Sequence, residues 1–412
     1  MKLPVCLTLL LASPFLPVLR AAEVLQVEVS TGSYERMDTP VFLEVPESIR
    51  SSVLLEITAS SEKAVPSQVE PAAPGAPARL HWILAGSTAA KKVRRFKATL
   101  LTEEAAGAAG PLTLSDAKGR GIEVKLSGRS VLQYNYGKVP PPNASDPPIQ
   151  ARSAYLHPLW SPAGQVLTMD YPRDHLHHRG VWFPWTKTEF EGRHPDFWNL
   201  GDGTGTVESE AVDRTYQGPV FAGFRARQRH LDLKAPGGPK AALVERWDVR
   251  VYAVGGEKQG YFIFDLDSRQ ECASPSPLKL DAYRYGGLGI RGSVEWEGDT
   301  VRFFTSEGKG RLNGEGSTAR WFDMSGPVKG PWAGVAILGH PSNFRAPQAL
   351  RLNPSEPFGN FVPIKTEPFA IEPGKPYVSR YRFYLHNGVL QADEAQRLWI
   401  DYAEPPEVKI IR

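Results

Sequence analysis

The sequence predicts an all-β protein: two large antiparallel sheets packed face to face, preceded by a small immunoglobulin-like β-sandwich. Three observations predict it. Apolar and polar residues alternate over short runs bounded by turn residues, the period-two pattern of half-buried strands. The 412 residues include 38 glycines and 37 prolines, which close turns and interrupt helices along most of the chain. Only Gln391–Tyr402 carries a helical pattern, with Ala392, Ala395, Leu398 and Ile400 recurring among charged residues.

The chain opens with Lys2, an apolar stretch from Leu3 to Leu19, and then Arg20-Ala21-Ala22-Glu23. A basic start, an apolar middle and small residues before a polar one predict a cleavable secretory leader over residues 1–22 and an exported protein. Pro4, Pro14 and Pro17 suit a removed leader better than a retained helix, and no later segment is long and apolar enough to cross a bilayer. Removing the leader deletes Cys6 and leaves Cys272 alone, so no intramolecular disulfide is available. It also removes Lys2 and Arg20 from 48 basic residues set against 45 acidic ones, leaving a basic excess of one. So balanced a charge gives no electrostatic reason to expect nucleic acid or an anionic membrane as partner.

Residues 23–120 read as the small sandwich. Val24–Val29, Val41–Val45, Val53–Ile57, Leu80–Leu84 and Phe96–Leu101 each have the length and alternation of one strand. Ala64–Pro77, rich in Ala and Pro, reads as an exposed loop, and Ala105–Gly110 as a loop or linker. His81 is the module's one histidine, with no reactive cluster around it, so packing or spacing is its expected role.

Residues 121–405 read as the large sandwich. Gly121–Leu126 and Ser130–Tyr136 are strands ahead of a Pro-rich loop, Val139–Pro148. Ala222–Asp232, Ala241–Ala253, Tyr261–Arg269, Val301–Thr305, Gly334–Leu338 and Val378–Leu385 follow. In the second of these, Val244, Arg246, Asp248, Arg250 and Tyr252 alternate with Glu245, Trp247, Val249 and Val251, which predicts one buried face. Runs this long and this numerous imply two opposed sheets.

The chemistry concentrates at residues 170–185, Asp-Tyr-Pro-Arg-Asp-His-Leu-His-His-Arg-Gly-Val-Trp-Phe-Pro-Trp, where His175, His177 and His178 fall together. Imidazole suits proton transfer near neutral pH and is the commonest metal ligand. In an extended segment, His175, His177 and Arg179 would share one face and Asp174, Leu176 and His178 the other. One reading makes His175, His177 and His178 general acids and bases, with Arg179 clamping a carboxylate or oxyanion. A second places a divalent metal on His175 and His177, completed by Asp174 or a distant histidine, although no full local ligand signature such as His-Glu-x-x-His is present. A third is structural: a polar network tying the loop to the sheet. Trp182, Trp185 and Trp198 follow closely and offer faces for a sugar ring or, as is commoner for tryptophan, bulk for the core.

Three stretches together resemble the DUF6807 family, also labelled the PmoA or methane oxygenase PmoA family. They are Tyr155-Leu156-His157-Pro158-Leu159 with Ser161-Pro162-Ala163-Gly164, then Asp174-His175-Leu176-His177-His178-Arg179-Gly180, and last His340-Pro341-Ser342-Asn343-Phe344-Arg345. Leu176 stands where that pattern more often has proline. The resemblance covers roughly Leu126 to Gly388 and implies a secreted bacterial β-protein related by fold to the supersandwich of galactose mutarotase-like proteins. Its common setting beside carbohydrate-degrading genes implies a small-molecule or oligosaccharide ligand.

The expected ligand-binding set is therefore His157, Asp174, Trp182, Trp185, Arg291, His340, Asn343 and Arg345, around catalytic His175, His177, His178 and Arg179. Tyr285-Gly286-Gly287-Leu288-Gly289-Ile290-Arg291 lacks the glycine spacing of a nucleotide loop and reads as a strand that brings Arg291 to the pocket. Cys272 reads as a small buried hydrophobe. Two functions compete. One is a carbohydrate-active enzyme of epimerase, lyase or hydrolase type, with epimerase or lyase chemistry favoured since no carboxylate pair for glycosidic cleavage stands out. The other is a binding protein for a sugar or peptide. A metal-dependent oxygenase, as the family label implies, is third.

Overall fold

Alternating burial sorts the strands into two opposed eight-stranded antiparallel sheets, two smaller sheets at the N-terminal end and a three-stranded sheet of Thr188–Glu189, Leu278–Leu280 and Phe369–Ile371. The structure is a computed structural model and describes residues 21–73, 77–104, 110–256, 258–296 and 298–411. The predicted leader lies outside the described residues except for Ala21 and Ala22, which open the first strand, Ala21–Ser30.

The first large sheet, here the site sheet, runs in the order Leu350–Leu352, Phe358–Phe361, Gly289–Arg291, Val181–Trp182, Tyr155–Leu159, Arg129–Asn135, Gly121–Leu126 and Leu112–Ala117. Several of its strands are short, and the long connections between them carry the polar residues of the candidate site. The second, the long sheet, runs Gly205–Gln217, Phe221–Asp232, Lys240–Tyr252, Tyr261–Cys272, Tyr377–Asn387, Trp332–Gly339, Trp321–Pro327 and Arg302–Thr305. Their inner faces share one apolar core. Tyr134 of the site sheet stacks on Phe224 of the long sheet with ring centroids 4.7 Å apart, and Phe361 meets Phe322 at 5.2 Å. Such packing is what period-two alternation on both partners produces.

The expected alternation in Lys240–Tyr252 is present, with one polar exception on the inner face. Glu245 is fully buried there, bonded to His230 at 2.8 Å, Trp247 Nε1 at 2.6 Å, Ser268 Oγ at 2.5 Å and Gln270 Nε2 at 3.1 Å. A buried carboxylate is tolerated only when its oxygens are met this fully.

The small module has a five-stranded sheet, Glu407–Ile411, Ala21–Ser30, Val93–Leu101, Ser51–Ile57 and Glu62–Val65, facing a three-stranded one, Arg36–Val45, Ala78–Thr88 and Ser67–Glu70. Its core gathers Val27, Leu43, Leu54, Leu80, Trp82 and Phe96. The loop expected over Ala64–Pro77 is corrected in its first part. Glu62–Val65 and Ser67–Glu70 are strands, because Val65 and Val69 pack onto that core; residues 74–76 lie outside the described residues. Residues 105–109 of the expected linker are likewise outside them. Two pairings cross the sequence divisions: Leu112–Ala117 joins the site sheet, and the C-terminal Glu407–Ile411 returns to pair with the first strand.

Gly205–Gln217 is a strand of 13 residues that the sequence pattern did not reveal. It forms an edge of the long sheet, and its mixture of Glu, Asp, Arg and Thr is what an exposed edge carries against unwanted pairing. The helix is Ala392–Ala403, with Ala395 and Leu398 buried against the outer face of the long sheet.

Candidate functional site

The histidine segment is not extended. His175 N–H donates to Pro172 O at 3.1 Å and His178 N–H to His175 O at 2.8 Å, two successive three-residue turns. Pro172 and Gly180 punctuate the segment, so the expected i, i+2 facing gives way to an i, i+3 pairing. His175 and His178 stack with centroids 4.6 Å apart at 8°, and His177 meets both edge-on, at 5.5 and 4.8 Å. Gly180 closes the turn where a side chain has no room: a Cβ there would meet Leu156 O at 2.2 Å. This close approach lets Gly180 O accept Arg291 N–H at 2.8 Å, which sets Arg291 beneath the turn.

Arg291 is 1 % exposed and organises the carboxylates. It donates to both oxygens of Asp174, at 3.1 and 3.0 Å, and to Glu356 Oε2 at 2.9 Å. His175 Nδ1 lies 3.0 Å from Asp174 Oδ2 and 3.5 Å from Glu356 Oε2, and His178 Nδ1 lies 3.4 Å from Arg291 Nη1. One ligand atom each from His175, His178 and Glu356 falls within 4.8 Å of the others, so these three side chains can hold a metal ion.

The turn opens onto a cleft of about 180 Å³, lined by the three histidines with Trp198, Asn199, Arg284, Tyr285, Arg351, Asn353, Glu356 and Phe358. This is smaller than the ~300–1,000 Å³ of drug-sized sites and suits one small polar molecule. Arg284 is exposed at its rim, and Arg351 is partly paired with Glu315 at 3.4 Å. Asn199 donates to the Tyr285 hydroxyl at 3.1 Å, and Trp198 packs on Tyr285 at 5.1 Å.

Burial, reinforced by His177, His175, Arg291 and Arg179, pushes His178 well below the usual imidazole range. Burial together with His175 and Arg179 pushes His177 down to about 4, so both rings are neutral at pH 7. At Asp174 burial pulls upward, but the hydrogen bond to His175 and the charge of Arg291 outweigh it and hold the carboxyl below its usual value.

Asp174, His175, His177, His178 and Arg291 thus come together. The other expected residues do not line the cleft. Arg179 is fully buried and donates to the carbonyls of Leu176 at 2.6 Å, His178 at 2.7 Å and Gln150 at 2.5 Å, with its guanidinium over the Tyr171 ring. Its fork is consumed in holding the turn and cannot clamp a ligand. Trp182 stands behind His178 at 5.3 Å as fully buried backing, and Trp185 donates to Gln270 in the core at 2.6 Å. His157 is bonded to Thr168 Oγ1 at 2.9 Å, and burial lowers its pKa. Asn343 is spent on the backbone of Arg380, and Arg345 on the carbonyls of Pro363, Glu367 and Pro368. His340 lies at a different cavity. Glu356, Arg284, Arg351 and Asn353 were missed. The polar, Pro-broken stretch Asn353-Pro354-Ser355-Glu356-Pro357 is the sequence signal that marks a loop able to carry Asn353 and Glu356, whereas Arg351 lies on the strand Leu350–Leu352 and Arg284 has no comparable signal.

No curated protein matches the chain. Two solved structures are similar at low identity: an alpha-mannosidase from Enterococcus faecalis V583 and a protein in the glycosyl hydrolase family 38 from Enterococcus faecalis. The first has a TM-score of 0.44 and 10% identity, covering 94% of this chain and 46% of its own. The second has a TM-score of 0.42 and 8% identity, covering 94% and 47%. The chain thus spans about half the length of either. Residues 121–400 match the model described as "Family of unknown function (DUF6807)", and on a match of that extent the protein belongs to the DUF6807 family.

Proposed function

We propose that the histidine cleft binds one small, carboxylate-bearing, polyhydroxylated molecule of the sugar-acid class and moves a proton at the carbon beside its carboxylate. The observation that carries this reading is convergence. Residues 175–178, 198–199, 284–285 and 351–358 meet at one small cleft that combines imidazoles, two arginines, amide side chains and a tyrosine hydroxyl. Arg284 and Arg351 suit the carboxylate and the charge that develops when the neighbouring C–H is broken. His177 has no hydrogen-bond partner among the described residues and stands in the cleft as the proton acceptor. Asn199, Asn353 and Tyr285 suit hydroxyls. Chemistry of this kind is an epimerase or lyase reaction.

The test uses galacturonate and polygalacturonate as probes in deuterated water, with NMR reading exchange of the hydrogen next to the carboxylate. His177→Ala should slow exchange by roughly 10²–10⁴-fold, the usual contribution of a positioned base, while leaving binding nearly intact. Binding without any exchange in the unaltered protein would make it a binding protein instead.

One observation favours a second reading, a divalent metal on His175, His178 and Glu356. Two imidazoles and one carboxylate form a set of the kind that binds transition metals. Equilibrium dialysis against Zn²⁺ or Mn²⁺ should then give one ion per chain, lost in Glu356→Gln and in His178→Ala. Stoichiometry well below one would leave the acid–base reading alone.

A further inference from the structure

His340 and its neighbours, left unused by the histidine cleft, belong to a second and larger cavity of about 340 Å³ at the junction of the small module, the long sheet and the helix. Phe42 lies on its small-module side, 41 % exposed, with the Arg79 guanidinium 4.4 Å over its ring. Most charges facing the cavity are already matched. Arg382 grips Asp265 with two hydrogen bonds, at 2.7 and 2.9 Å, and Tyr252 donates to the same carboxylate at 2.8 Å. Asp401 is tied to Arg36 at 3.2 Å, and Arg250 to Glu70 at 2.6 Å.

Four groups remain open. Arg380 is exposed and reaches the Ser342 hydroxyl at 3.0 Å, with no carboxylate partner among the described residues. His340 Nδ1 accepts Ser342 N–H at 3.1 Å, which leaves the ring proton on Nε2, without an acceptor among the described residues. The Tyr402 hydroxyl is buried without a hydrogen-bond partner, and Asp267 has Arg250 at 3.5 Å and also feels the charge of Arg380, directly opposite it in the sheet. Asn343 fixes the backbone of Arg380 at both its N–H and its carbonyl, at 2.8 and 2.9 Å. The His340–Asn343 motif therefore builds this cavity by holding His340 and Arg380 at its wall.

We propose that the junction cleft is a second ligand site, taking a carboxylate-bearing sugar unit with its ring on Phe42, its carboxylate on Arg380 and its hydroxyls on Tyr402, Asp267 and His340. With Arg79 over one side of its ring, Phe42 still leaves 41 % of its surface exposed beside donors and acceptors, which is the combination a pyranose requires. Arg380 and Arg79 are the arginines of the lining least tightly paired, since Arg380 has no carboxylate at ion-pair distance among the described residues and the exposed pair of Arg79 with Glu44 at 3.7 Å is weak, and they favour the acidic sugar over the neutral one. Burial, helped by the nearby charge of Asp265, pushes the Asp267 carboxyl up to about 6 against the pull of Arg250 and Arg380, so it can also donate a hydrogen bond in mildly acidic solution. The site shares no residue with the histidine cleft, so either can fail while the other stands.

The experiment is native-gel affinity electrophoresis of the full chain in polygalacturonate, with neutral mannan in a parallel gel. It is run in an Arg284→Ala background, which silences the histidine cleft. Polygalacturonate should still retard this protein, and adding Arg380→Ala or Phe42→Ala should weaken its binding about tenfold, the scale of one charge-assisted hydrogen bond or stacked ring. Arg380→Lys should keep part of the affinity. Both positions are exposed, and unchanged circular dichroism would confirm folding. Undiminished binding in Arg380→Ala, absence of retardation by polygalacturonate, or equal retardation by mannan would each overturn the proposal. Exchange at the histidine cleft that is lost in Arg284→Ala while this retardation persists would separate the two sites.

Discussion

Arg179 shows how residue identity and residue role separate. A guanidinium among three histidines suggests a ligand clamp, yet each of its hydrogen bonds ends on a turn carbonyl. The carbonyls of Leu176, His178 and Gln150 need donors only because the turn folds as it does, and sequence does not display that need. Arg179→Ala should therefore act on stability. Leaving the Leu176 and His178 carbonyls without a donor, while Gln150 O keeps only the Tyr171 hydroxyl at 3.2 Å, costs about 2 kcal/mol or more, measurable as a lowered denaturation midpoint. Loss of ligand affinity with an unchanged midpoint would restore the clamp. The histidines were legible because three of them stand together. Glu356, Arg284 and Arg351 are single residues far along the chain, and only the site sheet's strand order brings them to the turn.

At the scale of elements, period two was readable wherever one face is buried. Strands such as Tyr261–Cys272 and Tyr377–Asn387 were found nearly end to end, and the single α-helix among the described residues lies where its pattern placed it. Gly205–Gln217 was not readable, since an edge strand with a wet face has little apolar signal to offer. The short strands of the site sheet, Val181–Trp182 and Gly289–Arg291, are too brief for any periodicity to register. The return of Glu407–Ile411 was also silent, because Val408, Ile410 and Ile411 alone do not say which sheet they join. Its register, Gln26 opposite Ile411 through Ser30 opposite Glu407, makes the C-terminus part of the small module. Deleting residues 406–412 should expose the Ala21–Ser30 edge, uncover Val27 and Val29 beside it, and lower the melting temperature by several degrees. Hydrogen exchange should quicken first in Ala21–Ser30 and Val93–Leu101, while the large sandwich keeps its protection. Uniform loss of protection would mean that the whole chain unfolds as one unit.

At the scale of the molecule, the small module and the large sandwich meet through buried charge, which makes their junction sensitive to acid. Glu70 lies between His81, at 3.1 Å on its own module, and Arg250 of the long sheet, at 2.6 Å. Burial would raise the Glu70 carboxyl, but the His81 hydrogen bond and the Arg250 charge outweigh it and hold it far below its ordinary 4.5. Burial depresses His81 below its ordinary 6.5 despite Glu70 beside it. Both signs point the same way. For His81, the unfolded chain takes up a proton below 6.5 that the folded form resists, so stability falls as the pH drops beneath that value. For Glu70, the stabilisation is complete above 4.5 and is lost as the pH falls toward its depressed folded value. Denaturant unfolding should accordingly show stability declining from pH 6.5 downward and more steeply below 4.5. Glu70→Gln should flatten the steeper limb at a cost of about 3 kcal/mol at pH 7, since it strips the buried Arg250 of its closest carboxylate partner. A Glu70→Gln profile that keeps the full acid slope would place the proton uptake elsewhere and detach the junction from the acid response.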